Sequence, residues 1–539
     1  MFAFRHGAAA LALALTACSD QGPPKPSPTD PAALMKTLRD LAALGQKHVG
    51  TPPGQQAGDY AFMRMQAAGL SDVHFEEFQF PRHDVASSAL AVSIDGVAVA
   101  PAPGHDVFDG SGAGHADADC VYVMTATDSE LAGKNLQGKV ALVDRSVSFH
   151  RSAQYLNVYT HGAVAMLYVS AAPGNLRQVG SVRVQSGWTP LGPVPTVTIG
   201  ADDGQMLKEA LAAGKIVHVV MDVQASATRA SGRNVIGRVP GKDARGQIVI
   251  GAHYDTWFEG SVDNGGGVAA LVALAERRKK EPQPRYTLVF VAYDGEEVAL
   301  YGGYDFLRRH RVETAEPILS VFNFESPSAI NPILAALTRS NVGVLDQSLR
   351  AVGLTQLYRV YAGMEVIPQL FGGVIPTDIQ GIYRAGVPTV TTAVQADYYH
   401  TTEDKPDTVD TSILAQAVDE FDGALDRLMA SDPDPFAIPD PALWRASVSV
   451  QPRAAGQPLM VDATVTDAVG APQADAPALA ALLVDDFFEV ATASARTDGS
   501  GRVTFQLPAA AAEMGAGRRF VHVTAGPTFP LVEQIVPVP

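Results

Sequence analysis

Cysteine is scarce in this sequence: Cys18 and Cys120 are the only two among 539 residues. So few exclude a disulfide framework, and the fold must rest on core burial. A basic excess is also missing. Forty Lys and Arg stand against 57 Asp and Glu, a net charge of −17. Such a chain gains nothing from a phosphate backbone, which argues against nucleic acid as a partner, and its charge serves solubility. No apolar run is long enough to cross a bilayer as a helix. There is no internal repeat, and no Lys-Ser or Lys-Thr follows the glycines at 265–267, which disfavours a phosphate loop. What remains is an ordinary globular composition, 47% hydrophobic and 18% charged, in a chain too long for one core. Two to four domains are expected.

At the N-terminus, Arg5 and His6 precede a short apolar run, Ala8 to Leu15, that suits a signal-peptide core. It ends in Leu15-Thr16-Ala17-Cys18, which resembles a bacterial lipobox. That resemblance implies cleavage after residue 17, lipidation of Cys18 and a membrane anchor, with Ser19 in second place pointing to the outer membrane of the cell envelope. Cys120 would then be left without a partner. The rest divides by composition. A Pro-rich tether occupies 18–31, and mixed helical and strand patterns fill 32–85. Short strands and turns follow over 86–225, then alternating strands and helices over 226–431, the pattern of a mostly parallel sheet covered by helices. A Pro/Asp-rich linker spans 432–443, and alternation over 444–539 predicts a β-sandwich. The fold class expected is therefore α/β, with an inserted β-rich domain and a β-rich tail.

Five short segments of the α/β region carry metal-capable side chains. They are His253-Tyr254-Asp255, Gly260 to Gly267 with Asp263-Asn264 inside it, Asp294-Gly295-Glu296-Glu297, Asn323-Phe324-Glu325, and Tyr398 to Asp404 with His400 inside it. Taken singly, each has an ordinary structural reading as a strand-end His, a helix cap or a solvated acidic turn. Taken together they do not. Each follows an apolar run, and sites in open parallel sheets form at the carboxyl ends of strands. Adjacent carboxylates such as Glu296 and Glu297 repel, and a cation relieves the repulsion. The set of two imidazoles and several carboxylates is what borderline cations select, and it suffices for two ions. Asp255, two residues from His253 on one face, could orient that ring.

The order His-x-Asp, Gly-x-x-Asp-Asn-Gly-x-Gly, Glu-Glu, Asn-x-acid, Tyr-His-Thr resembles the co-catalytic zinc exopeptidases, the family of bacterial leucyl aminopeptidase, aminopeptidase Y and glutamate carboxypeptidase. The segment 86–225 likewise resembles a protease-associated domain. The resemblance covers roughly 32–430 and implies a zinc-exopeptidase sheet sandwiched by helices, two Zn2+ ions and peptide substrates. His253, Asp263 and Glu325 would hold one ion; Asp263, Glu297 and His400 would hold the other. Glu296 would be the general base, Tyr399 would help stabilise the oxyanion, and Asp255 would orient His253. Where this family usually has Asp, the sequence has Glu325, one methylene longer. Aminopeptidase action is the expected reading. A carboxypeptidase would need a basic pocket, to which the sequence alone cannot assign Arg339, Arg359 or Arg384. The resemblance also extends to glutaminyl cyclases and to catalytically inactive binding proteins of the same architecture. Side-chain preference and oligomeric state are not encoded in any motif.

Overall fold

The structure, a computed structural model, describes residues 29–101, 104–146, 149–183, 191–314, 316–330, 333–338, 360–363, 377–384, 387–431, 444–484, 488–513, 519–526 and 532–539. The expected signal peptide, most of the tether including Cys18, the linker, Arg339 and Arg359 lie outside the described residues, as does the side chain of Arg384.

A mixed sheet forms the centre. Its strands run in the order Val360–Gly363, Ile333–Thr338, Thr389–Gln395, Ile318–Asn323, Asp243–His253, Tyr286–Tyr293 and Val217–Val239. The four from Thr389–Gln395 to Tyr286–Tyr293 are mutually parallel. Their register is tight: Phe290 pairs with Ile250, Ile250 with Phe322, and Phe322 with Val390. Their carboxyl ends therefore open on one edge of the sheet, which is where the five metal-capable segments begin.

Both faces of these strands are buried, which explains their near-continuous apolar runs. Ile248, Ile250, Leu288, Phe290 and Phe322 point to one face. There they meet Leu38, Leu271 and Phe421 from the helices Pro31–Ala42, Gly266–Lys280 and Thr411–Ala430, with Met65 from Pro52–Ala67 in the same cluster. Val249, Val289, Val291 and Val321 point to the other, with Phe306 and Leu307 from the helix Tyr301–Leu307. Two of the helix starts carry the expected signals. Asp30 and Thr51 accept backbone N–H bonds at the helix entrances, each followed by proline in the first turn.

The inserted unit has its own parallel strands, Val140–Asp144, Ala165–Val169 and Thr196–Ile199, and the helices Arg151–Thr160 and Ala201–Ala212. It has its own apolar clusters, around Leu142, Leu167 and Val197 and around Tyr155, Met166 and Tyr168. Two strands join it to the central sheet. Ser71–Ile94 and Val217–Val239 pair antiparallel along almost their whole length, from Ser71 opposite Arg238 to Ile94 opposite Val217. The composition change near 85 and 225 thus falls in the middle of these strands. Val217–Val239 pairs with Tyr286–Tyr293 of the central sheet at one end and with Gly114–Tyr122 of the insert at the other, and Ser71–Ile94 runs beside it throughout. Cys120, in that strand, is buried and free.

After the linker, two antiparallel sheets stack as a sandwich. One has the order Arg445–Val450, Leu459–Thr466, Arg502–Leu507; the other Phe488–Arg496, Pro477–Val484, Arg519–Ala525, Val532–Pro537. The strand Leu459–Thr466 alternates buried and half-buried residues along its length, the pattern of a strand with one wet face. The sandwich core is continuous with the apolar cluster on one face of the central sheet. No helix among the described residues is long and apolar enough to cross a membrane.

Candidate metal centre

At the carboxyl edge of the sheet two imidazoles converge on one carboxylate. His253 Nε2 lies 3.2 Å from Asp263 Oδ1, and His400 Nε2 lies 3.1 Å from Asp263 Oδ2. Each imidazole meets a second carboxylate: Glu325 Oε1 is 3.2 Å from His253 Nε2, and Glu297 Oε2 is 2.9 Å from His400 Nε2. Glu296 Oε2 stands 4.0 Å from His253 Nε2. Donor atoms of His253, Glu296 and Glu325 lie within 4.8 Å of one another, and so do those of Asp263, Glu297 and His400. All six residues singled out in the sequence as ligands or base are thus brought together.

Local structure explains how each side chain is aimed. Asp263 sits in a short turn, Ser261–Gly265, ahead of the helix Gly266–Lys280, and its peptide bond to Asn264 is cis. The turn is pinned by Asp404, whose two oxygens accept from the backbone N–H of Val262 and Asp263 at 2.6 and 3.1 Å. Asn264, just before the N-cap Gly265, links the turn to its surroundings: its Oδ1 accepts from Gly267 N and its Nδ2 donates to Phe324 O, tying this turn to the Glu325 strand end. A Cβ on Gly267 would lie 2.2 Å from Asn264 Oδ1 and 2.5 Å from Phe324 O, so only glycine fits there.

Asp255 does more than its spacing implied. The ring Nδ1 of His253 lies 3.0 Å from the Asp255 backbone carbonyl and 3.5 Å from its carboxylate. A carbonyl can only accept, so Nδ1 carries the proton and Nε2 is left to face the cluster. The Asp255 carboxylate accepts from the N–H groups of Glu296 and Glu297, at 3.1 and 3.2 Å. One residue therefore orients a ring through its backbone and holds the Glu296-Glu297 turn through its side chain.

The electrostatics are those of a cation site. Burial, reinforced by Glu325 and Glu297 and opposed by His253, pushes Glu296 well above the usual carboxylate range. Burial also raises Glu297, and lifts Glu325 to about 7 against the pull of His253. Burial likewise works against ionised Asp263, but its bonds to His253 and His400 outweigh it and hold that carboxyl below the usual range. Both imidazoles are pushed down by burial and pulled up further by the surrounding carboxylates. Buried oxygens of Glu297 (Oε1) and Glu325 (Oε2) have no hydrogen-bond partner. A buried anion without a partner is costly, and divalent cations supply the missing one. The donor set, two imidazoles and carboxylates around a shared Asp263, fits two such ions.

Tyr399 is packed rather than free. Its ring stacks on His400 with centroids 3.7 Å apart, and the Arg145 guanidinium lies 5.0 Å from its centroid on the insert side. The Arg151 side chain acts electrostatically on its phenol. Burial, with Asp263 and Glu297 nearby, pushes that phenol far above its usual range. Three residues near the site escaped sequence reasoning. Asp404 closes the His400 segment, where nothing in the sequence gives it a role. Arg145 and Arg151 sit in the insert, where no local pattern flags them.

The pattern of peptidase family M28 matches residues 234–421, and that of the PA domain matches 103–207. Over 287 residues the chain is 23% identical to human carboxypeptidase Q, covering 50% of this chain and 59% of that protein. Over 325 residues it is 25% identical to a probable lipoprotein aminopeptidase of Mycobacterium tuberculosis, covering 56% of this chain and 59% of that one. The chain thus spans less than two thirds of these relatives. A zinc aminopeptidase from Bacillus subtilis shares the fold, with a TM-score of 0.58 at 18% identity over 77% of this chain and 99% of that one. The α/β region that carries the metal centre is thus similar to peptidase family M28, and the segment inserted ahead of it to the PA domain.

Proposed function

We propose that the protein is a two-zinc exopeptidase that removes N-terminal residues from peptides. The observation that carries this reading is Asp263, with one oxygen toward each of two imidazoles and a further carboxylate beside each ring. His253, Asp263 and Glu325 would hold one Zn2+; Asp263, Glu297 and His400 would hold the other. When bound, such ions act as Lewis acids on the scissile carbonyl and acidify water. This chain's own residues do the rest. The Glu296 and Glu325 side chains are 11% and 12% exposed, against 5% or less for the other four, so these two carboxylates border the open side of the site. Glu296 takes the proton of the attacking water and passes it to the leaving amine, the role a raised carboxyl suits. A substrate ammonium arriving from the open side meets Glu296 and Glu325, which favours a free N-terminus. Tyr399, held at the site between His400 and Arg145, donates toward the developing oxyanion.

A carboxypeptidase reading has one observation in its favour. Arg145 and Arg151 reach Tyr399 from the insert, and among the described residues neither is ion-paired to a carboxylate. Guanidinium groups so placed could take a substrate's C-terminal carboxylate. A panel of otherwise identical peptides with free or acetylated N-termini, and free or amidated C-termini, decides between the two. The aminopeptidase reading expects acetylation to abolish turnover and amidation to leave it; the reverse pattern would overturn it.

We further propose, from the Leu15-Thr16-Ala17-Cys18 sequence, that the protein is a lipoprotein of the cell envelope. Acyl chains hold a protein on a membrane only when several act together. Cys18→Ser should therefore move the full-length protein to the soluble fraction, and a variant still in the membrane pellet would contradict the anchor.

A further inference from the structure

We propose that the PA insert completes the metal centre, with Gln178 and Val179 acting as positioning residues for His400. The inference rests on the two-metal reading above and concerns residues to which no role has been assigned.

The contacts are reciprocal. The Val179 backbone N–H donates to the His400 carbonyl at 3.2 Å, and the Val179 carbonyl lies 2.9 Å from His400 Nδ1. Gln178 Nε2 donates to the Tyr399 carbonyl at 2.7 Å, while its Oε1 accepts from Ala171 N at 3.1 Å. Gln178 and Val179 are almost wholly buried, at 3% and 6% exposure. Three hydrogen bonds therefore cross from the insert to two consecutive residues of the metal loop.

Each bond has a consequence for the ligand. Because the Val179 carbonyl can only accept, it places the proton on Nδ1 and leaves the Nε2 lone pair facing Asp263 and Glu297. Ligand imidazoles are commonly oriented through such a partner on the far nitrogen, and loss of the partner weakens metal binding. His400 also has a left-handed backbone, φ +59°, which costs a non-glycine residue about 1 kcal/mol or more and persists only under outside constraint. The bonds to its carbonyl and to that of Tyr399 supply such a constraint.

The segment from Gln178 to Arg183, the strap, is itself anchored deep in the insert. Gly180 O accepts from Asp109 N and Val182 N donates to Asp109 O, at 3.0 and 2.8 Å. Arg151 Nε donates to Ser181 O at 2.6 Å, and Arg183 forms a buried ion pair with Asp109. Gly180 packs against the Arg151 guanidinium, where a Cβ would come within 2.8 Å of Nε. The two imidazoles thus differ in kind. His253 is oriented by Asp255 of its own domain, and His400 by a segment 221 residues away in sequence.

The test is metal binding by the full-length protein, stripped of metal and titrated with Co2+ while its visible absorption is followed. His253→Ala and His400→Ala assign the bands to the two sites. Gln178→Ala and Val179→Pro, the second removing the N–H that reaches His400, should weaken the His400 site by about tenfold to a hundredfold. The His253 site should stay within about twofold of native, well inside that range. Leu142→Ala, in the core of the insert but away from the strap, is the control for general destabilisation and should leave both sites unchanged. Native binding at both sites in folded Gln178→Ala and Val179→Pro would overturn the inference, as would an equal loss in Leu142→Ala. A native protein that takes up no cobalt would refute the two-metal reading itself.

Discussion

The metal centre and the C-terminal sandwich bury side chains by opposite rules. In the sandwich, Val461, Leu482, Val521 and Val523 are fully buried and apolar, while the acidic residues Asp467, Asp475 and Asp498 lie on turns where they accept backbone or arginine hydrogens. At the metal centre, His253, Asp263, Glu297, Glu325 and His400 are buried together, with carboxylate oxygens left unpartnered. The first arrangement is self-sufficient, since apolar burial needs nothing added. The second is stable only if something supplies opposite charge, so a function can be read from it. The comparison teaches that side-chain chemistry out of balance with its surroundings says more about function than the sheets that carry it.

Changing single groups of the metal centre sharpens the contrast. Glu296→Gln keeps the size and hydrogen bonding of the side chain but cannot accept a proton. It should lower kcat by about a hundredfold or more while zinc content stays native, and near-normal turnover would remove Glu296 from the role of base. Glu325→Ala should weaken the site that includes His253 and leave the other, whereas Glu325→Asp should keep both metals. Two unchanged tight sites in the Ala variant would make Glu325 a structural carboxylate only.

Acidity gives a third handle. Glu296, Glu297 and Glu325 have raised folded values, and so do His253 and His400. Each binds its proton more tightly folded than unfolded. Metal-stripped protein therefore holds extra protons when folded, and loses stability as pH rises from the ordinary carboxylate range through about 7, the value of Glu325. Asp263, with a lowered value, acts in the opposite sense and only at lower pH. Thermal melts of stripped protein should fall in temperature between about pH 5 and pH 7.5, and added Zn2+ should raise them more at the upper end. A flat profile would mean that these groups do not interact as their placement implies. The smallest effect on catalysis belongs to the sandwich. Leu482→Ala should cost that region about 2–5 kcal/mol, read in a melt, with turnover per folded molecule and zinc content unchanged.

Much of the centre was legible because the sheet does the assembling. Parallel register aligns the ends of Asp243–His253, Tyr286–Tyr293, Ile318–Asn323 and Thr389–Gln395, so residues following four apolar runs had to meet. The insert's contribution was not legible. Gln178 and Val179 belong to no motif, and backbone carbonyls leave no mark in a sequence. The insert's limits were blurred for a related reason: Ser71–Ile94 and Val217–Val239 pass through without a break, so composition shifts where neighbours change and not where the chain turns. The divided work of Asp255 was only half visible, since spacing places a side chain on a face but does not reveal that its carboxylate is engaged by Glu296 and Glu297 N–H groups.

The most direct test of the central claim is the zinc content of the purified full-length protein, measured by atomic emission against the concentration of folded chain, together with aminopeptidase turnover during stepwise removal and return of Zn2+. Two zinc ions per chain, with activity lost on removal and recovered on return, is the result expected of Asp263 shared between His253 and His400. A folded chain that holds no zinc, or one that hydrolyses peptides equally well after all metal is gone, would contradict it.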